Sequence, residues 1–228
     1  MATITQRRAH YERQLQALRE GILLLGSMAE KAITRAVEAL RQRDLHLAQA
    51  VIADDQTIDD RSYELEEQAL LLIATQQPLA TDLRTIAAAN FIIAELERIG
   101  DYAEGIAKIT LAVGQQPPLK PLLAIPRMAT IATDMLHRSL TAFMDRDLVA
   151  CRAIWAQDDE VDALYNQVYR ELLTFMLNDP TTIEQATKLL WATHNLERIA
   201  DRVTNICERT AFVITGDPRT LVKADLDS

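Results

Sequence analysis

A chain of 228 residues, half of them apolar and a quarter charged, can bury one large core or two small ones and is not composed like a disordered polymer. Its net charge of −9 excludes a nucleic-acid footprint, which needs clustered Lys and Arg, and suits cations or a basic partner surface instead. The N-terminus MATITQRRAHYERQ has no apolar signal region, and uncharged runs such as Ala69–Thr81 are too short to span a bilayer, so a cytoplasmic protein is expected.

Six Gly and seven Pro are few for this length, while helix formers abound, and strand-like alternation is absent. The expected fold is all-α. A first helix over 5–41 stops before Arg43-Asp44-Leu45, where Asp44 reads as the N-cap of a second helix over 45–75. Gln76-Gln77-Pro78 breaks the pattern, and a third helix follows over 79–113. Gly114-Gln115-Gln116-Pro117-Pro118 is the strongest linker signal. Beyond it a fourth helix covers 121–144, and Asp147 in a second Arg-Asp-Leu caps a fifth over 148–177. Asn178-Asp179-Pro180 breaks that helix, Thr181-Thr182-Ile183-Glu184 reads as a capping box, and a sixth helix runs over 182–214 to Gly216-Asp217-Pro218.

The two halves repeat each other. Arg43-Asp44-Leu45 aligns with Arg146-Asp147-Leu148, Asp55 with Asp158, Asp59 with Asp162, Glu97 with Glu197 and Asp101 with Asp201. Short connections between long helices make neighbours antiparallel, so the expectation is two pseudo-symmetric three-helix bundles, over 1–115 and 119–216, with a short polar tail over 217–228. Cys151 and Cys207 belong to no CxxC pattern and read as reduced thiols.

The repeat carries its acids in a particular phase. In the third helix Ile92, Leu96, Ile99, Ala103 and Ile106 form an apolar seam, as do Ala192, Leu196, Ile199, Val203 and Ile206 in the sixth. At roughly 100° per residue, Glu97, Asp101, Glu197 and Asp201 lie about 140–180° from those seams, on an outer face. Asp55 and Asp59 sit about 60–100° off the line of Val51, Ile58 and Leu65, and Asp158 and Asp162 stand likewise beside Ile154, Val161 and Val168. Side chains four apart share a helix face. Each pair lies about 20 residues from its hairpin turn, so antiparallel helices rising roughly 1.5 Å per residue should bring two pairs to one level in each half.

Four carboxylates at one height repel unless a cation, or Arg98 and Arg198, relieves them. A single acid-xxx-acid pair on a helix is most often a solvated face, and spacing alone leaves that reading open beside metal binding. Nearly all-oxygen ligands would suit Mg²⁺, Ca²⁺, Mn²⁺ or ferric iron, with Zn²⁺ also in range. His194, three residues before Glu197, could add an imidazole to the second set, where the first half has Ala94. Glu104, Asn205 and Glu208 extend the same faces by a turn. Two other readings are a carboxylate-bridged metal enzyme and a purely structural helical repeat. Inward-facing Glu with Glu-x-x-His marks such enzymes, which the outward phase here does not match.

"TQQPLATDLR" (Thr75–Arg84) leading into "ELERIGDYAEGIAK" (Glu95–Lys108), with "DDQTIDD" (Asp54–Asp60), "QDDEVD" (Gln157–Asp162) and "NLERIADRVTNICE" (Asn195–Glu208), resembles the PhoU family over nearly the whole chain. The second half departs from the first at its turn, reading "LNDPTTIEQATKLL". The resemblance implies surface metal clusters, often iron, held by Asp55, Asp59, Glu97 and Asp101 and by Asp158, Asp162, Glu197 and Asp201. It also implies a non-catalytic adaptor that bridges the phosphate ABC transporter and a phosphate-sensing histidine kinase, and so represses the phosphate regulon. Such a protein would reach the membrane only through its partners, and a homodimer is expected.

Overall fold

The two Arg-Asp-Leu turns show how local chemistry sets the helix boundaries. Arg43 and Arg146 adopt left-handed backbone, with φ of 58° and 56°, and so end the preceding helices. The next residue then caps the following helix: Asp44 accepts from the Leu47 amide and Asp147 from the Ala150 amide, both at 2.9 Å. The computed structural model describes residues 2–114, 116–119 and 123–221. Six helices follow in order: α1 (Ala2–Gln42), α2 (Leu45–Gln76), α3 (Thr81–Val113), α4 (Ala124–Asp145), α5 (Leu148–Asn178) and α6 (Ile183–Thr215). The described residues include no strand, and no helix among them is long and apolar enough to cross a membrane.

The expected capping box at α6 does not form. Asp179, in extended backbone before Pro180, accepts from the Thr181 amide and starts a 3-10 turn over Pro180–Thr182. Thr182 donates its hydroxyl to the Asp179 carbonyl, and Glu184 pairs with Lys188 at 2.7 Å. The hydroxyls of Thr181 and Thr182 both turn back to Asp179 and Glu184 turns forward to Lys188, so neither half of the expected box is in place. The expected tail also differs. Leu221 is buried in the core, so the chain folds back after Gly216, while 222–228 lie outside the described residues.

The helices α2, α3, α6 and α5 form a row in that order, with α1 laid against α2 and α3 and α4 against α5 and α6. Helices α1 and α4 also touch, so each half is a three-helix bundle and the two share one contiguous core. The expected seams of α3 and α6 are fully buried in it, from Ile92 to Ile106 and from Ala192 to Ile206. Cys151 and Cys207 are free thiols within the same core.

Helices α3 and α6 run antiparallel. The Arg209 guanidinium lies 3.9 Å from the Phe91 ring centroid, Glu95 meets Asn205, and Asn195 faces Gly105. Each pairing brackets the same midpoint, near residues 100 and 200, so the repeats are related by a pseudo-two-fold axis across this helix pair. The halves also interlock at Gly26 of α1. A Cβ there would lie 2.1 Å from Leu140 Cδ1 of α4 and 4.0 Å from Leu96 Cδ2 of α3.

Leu140 therefore fills a cleft made by both bundles. Leu140→Ala should lower the unfolding free energy by about 2–5 kcal/mol, read by urea denaturation, with a single transition because the core is continuous. Two resolved transitions would show that the halves unfold separately.

Candidate metal centre

Gly100 decides how closely α2 approaches α3. A Cβ there would stand 3.1 Å from Ile58 Cγ2 and 3.2 Å from Asp55 Oδ1, closer than most real Cβ contacts. The missing side chain lets Asp55 settle against the α3 backbone, where it is only 8% exposed. Of the α3 acids read as outward, Asp101 is exposed and Glu97 half-buried, while Asp55, read as lying beside the α2 seam, is buried because of a glycine on the neighbouring helix.

Ligand atoms of Asp55, Asp59 and Asp101 lie within 4.8 Å of one another. No hydrogen bond or ion pair among the described residues reaches the Asp55 carboxylate. Burial, then the negative charges of Glu104, Asp59 and Asp101, push its pKa up to about 7, against the weaker pull of Lys108. Asp101 is raised by burial and by Asp59 and Glu104. Glu97 is raised by burial and by Asp101 and Asp59, so it feels the cluster, although it stands outside the three convergent groups. Glu104, a turn beyond Asp101, also borders the cluster and is ion-paired with Lys108.

The second set repeats the electrostatics with looser geometry. Asp158 is pushed up to about 7 by burial and then by Asp162, Asp201 and Glu197. Asp162 and Glu197 are each raised by burial and then by Asp201. Among the described residues these acids do not converge as the first three do. Arg198 holds Asp201 at 2.7 Å, whereas in the first half Arg98 turns to Glu95 at 3.2 Å and leaves Asp101 to its neighbours. His194 Nδ1 lies 3.3 Å from Glu197 Oε2, which is buried and accepts no hydrogen bond.

Glu95 carries a role that sequence reasoning missed. It is 1% exposed and accepts from Arg98, from Arg202 Nη1 at 3.4 Å and from Asn205 at 3.3 Å, which ties α3 to α6. Asn205 is therefore spent on this contact and does not face the second set of acids. Glu208 is raised by burial. A signal did exist: where the halves differ, Glu95 against Asn195 and Tyr102 against Arg202, the differences are complementary across an antiparallel pair.

The donor sets suit a cation. They are carboxylates, one of them a nearly buried Asp55 that takes no hydrogen bond or ion pair among the described residues, and the second set includes an orphaned Glu197 oxygen. A buried acceptor without a donor costs free energy that an oxygen-loving ion would recover.

The raised acids also fix the sign of a pH effect. Folded Asp55 and Asp158 keep their protons up to about pH 7, while an unfolded Asp releases its own near about pH 4. Between these limits the folded chain binds more protons, so this contribution is fully present at low pH and is lost as pH rises through 7. With chelator present, the melting temperature should fall from about pH 5.5 to about pH 8, and Asp55→Asn should flatten the slope. Scanning calorimetry reads both, and a melting temperature that rises over this range would refute the assignment.

The PhoU domain matches this chain twice, over residues 22–110 and 125–210. A phosphate-specific transport system accessory protein PhoU homolog of Caulobacter vibrioides is 40% identical over 218 residues, covering 95% of each chain. One from Clostridium acetobutylicum is 39% identical over 207 residues, covering 90% of this chain and 94% of the relative. The crystal structure of PhoU from Pseudomonas aeruginosa superposes with a TM-score of 0.87 at 30% identity, over 91% of this chain and all of that one. With both repeats matched, and the six-helix arrangement shared with a solved relative, the chain belongs to the PhoU family.

Proposed function

We propose that the chain is a metal-bearing, non-catalytic adaptor of phosphate-specific transport. Its relatives bear the name of accessory proteins to that system, and this chain works within it. The observation that carries the metal is the convergence of Asp55, Asp59 and Asp101. In this reading it bridges the phosphate ABC transporter and a sensor histidine kinase at the cytoplasmic face of the membrane. It holds the kinase silent when phosphate is plentiful, and so represses the phosphate regulon.

At the first site Asp55, Asp59 and Asp101 would hold the ion, with Glu97 beside them. The ion would supply the positive charge that the cluster lacks, and its arrival would release the proton that Asp55 keeps near neutral pH. Asp55 and Asp59 stand on α2 and Asp101 on α3, so a shared ion clasps the two helices. The occupied form then presents a stiffer and less negative hairpin to its partners. An all-oxygen donor set of this kind favours Mg²⁺, Ca²⁺, Mn²⁺ or ferric iron.

Protein purified without chelator should carry metal, and an Asp55→Ala/Asp101→Ala variant should lose the ion of the first site, as read by elemental analysis. In the host, deletion of the gene should switch on phosphate-regulated transcription at high phosphate, and the double variant should fail to restore repression. Unchanged repression in the deletion strain would overturn the regulatory role. Wild-type metal content in the variant would overturn the site.

A further inference from the structure

The pseudo-two-fold axis gives each contact of the α3–α6 pair a counterpart, and one counterpart leaves an aromatic ring uncovered. In the first instance Arg209 of α6 lies over the Phe91 ring of α3, 3.9 Å from its centroid. The matching ring in the second half is Trp191, and Ile109 stands in the place of Arg209. The register holds at this end as well, because Lys188 Nζ donates to the Ala112 carbonyl at 2.9 Å, one turn from the level of Trp191 and Ile109. An isoleucine offers no charge to a π face. Trp191 is 59% exposed, and among the described residues no cation lies over it.

The surroundings of Trp191 are aromatic in this half alone. Its ring meets His194 edge-on at 6.0 Å, and His194 meets Tyr165 of α5 at 6.1 Å. Tyr169, one turn along α5, is 42% exposed. The equivalent positions of the first half hold Ser62, Glu66 and Ala94. Clustered Trp and Tyr side chains present large contact area at low ordering cost, as anchor residues of interfaces do. Charge then selects the partner. Glu197 lies 3.3 Å from His194, and burial and then the Glu197 charge raise the Tyr165 phenol, so this edge of the patch is negative. Lys188 on the other edge is ion-paired with Glu184. The chain as a whole carries −9, which draws basic surfaces and turns acidic ones away. A metal on the acids would weaken the local field without covering the ring.

We propose that Trp191, with Tyr165, Tyr169 and His194, is a docking site for an arginine of a partner protein, whose guanidinium covers the Trp191 ring as Arg209 covers Phe91. Arginine suits the site better than lysine, because its planar group stacks on a ring while its N–H donors remain free for the carboxylates at the edge. Apolar residues beside that arginine would lie on Tyr169 and the rest of the aromatic patch. The inference rests on the adaptor reading above but not on the metal, and it adds where a partner is met and by what chemistry.

The test is made in the host with the full chain, in which photoreactive benzoylphenylalanine replaces Tyr169 and light fixes whatever protein lies on the patch. Mass spectrometry should map the adduct to a segment of another protein that carries an arginine beside apolar residues. Trp191→Ala should lower the adduct yield by about fivefold or more, and Trp191→Phe, which keeps a π face, should lower it less. Replacing the mapped arginine by glutamine in the partner should match the loss seen with Trp191→Ala. Ile109→Arg, which copies the covered half, should also lower the yield in protein whose circular dichroism is unchanged. No adduct, an adduct with a second copy of this chain, a segment without arginine, or a yield that Trp191→Ala leaves unchanged would overturn the inference. The deletion strain judges the adaptor reading separately. Repression that needs the gene, without an adduct at position 169, sinks this inference alone, and repression that does not need the gene sinks the adaptor reading too.

Discussion

Everything in this molecule is arranged around a carboxylate taken out of water between two helices. Glu95 sits inside the α3–α6 pairing, where Arg98, Arg202 and Asn205 compensate for its lost hydration. A buried charge of this kind adds little net stability against an apolar isostere, but removing one partner of such a pair costs about 3–5 kcal/mol. It therefore specifies more than it stabilises. The antiparallel register that satisfies Glu95 is the same register that puts residues 100 and 200 on the pseudo-two-fold axis and sets both acidic pairs at the waist of the molecule.

The acids at that waist are in electrostatic conflict by construction. Desolvation is the largest effect on both Asp55 and Asp158, and like charges add to it, so both retain protons near neutrality. A purely solvated acidic face would behave otherwise, since groups open to water repel weakly and titrate near their ordinary values. Burial of Asp55 follows from Gly100, and nothing in the packing of the apolar seam requires a carboxylate at that position. An apolar residue there would be cheaper for the fold alone, which is the physical ground of the proposed metal role.

Most of the architecture was legible because it rests on periodicity. The Leu and Ile seams of α3 and α6 follow the helical repeat, and the equal distances to each hairpin turn place Asp55 opposite Gly100 and Asp101. Local competition was harder to read. Asp179 before Pro180 draws the hydroxyls of Thr181 and Thr182 back to itself, so the Thr181–Glu184 box does not form, and only the geometry of the turn decides this. The least legible part was the direction of the arginines. Arg98 and Arg198 occupy the same place in the same motif, but their partners depend on what the other half of the chain brings to the α3–α6 groove. A reading that treats each hairpin alone cannot weigh that.

The duplication itself explains why the halves had to diverge there. In an antiparallel pair related by a pseudo-two-fold axis, each contact occurs twice: residue 95 meets 205, and residue 195 meets 105. Keeping Glu in both places would bury two carboxylates in one narrow groove and require a second set of cationic partners. Instead the second instance carries Asn195 against Gly105, where any Cβ would lie 2.6 Å from the Asn195 amide nitrogen, and Tyr102 stands where Arg202 would have been repeated. Relieving one buried charge has a consequence one turn away. Without a carboxylate to hold it, Arg198 lies against the Tyr102 hydroxyl and reaches Asp201, while Arg98 stays with Glu95 and leaves Asp101 to the cluster. A difference that began as a packing requirement between repeats thereby becomes a difference between their acidic sites.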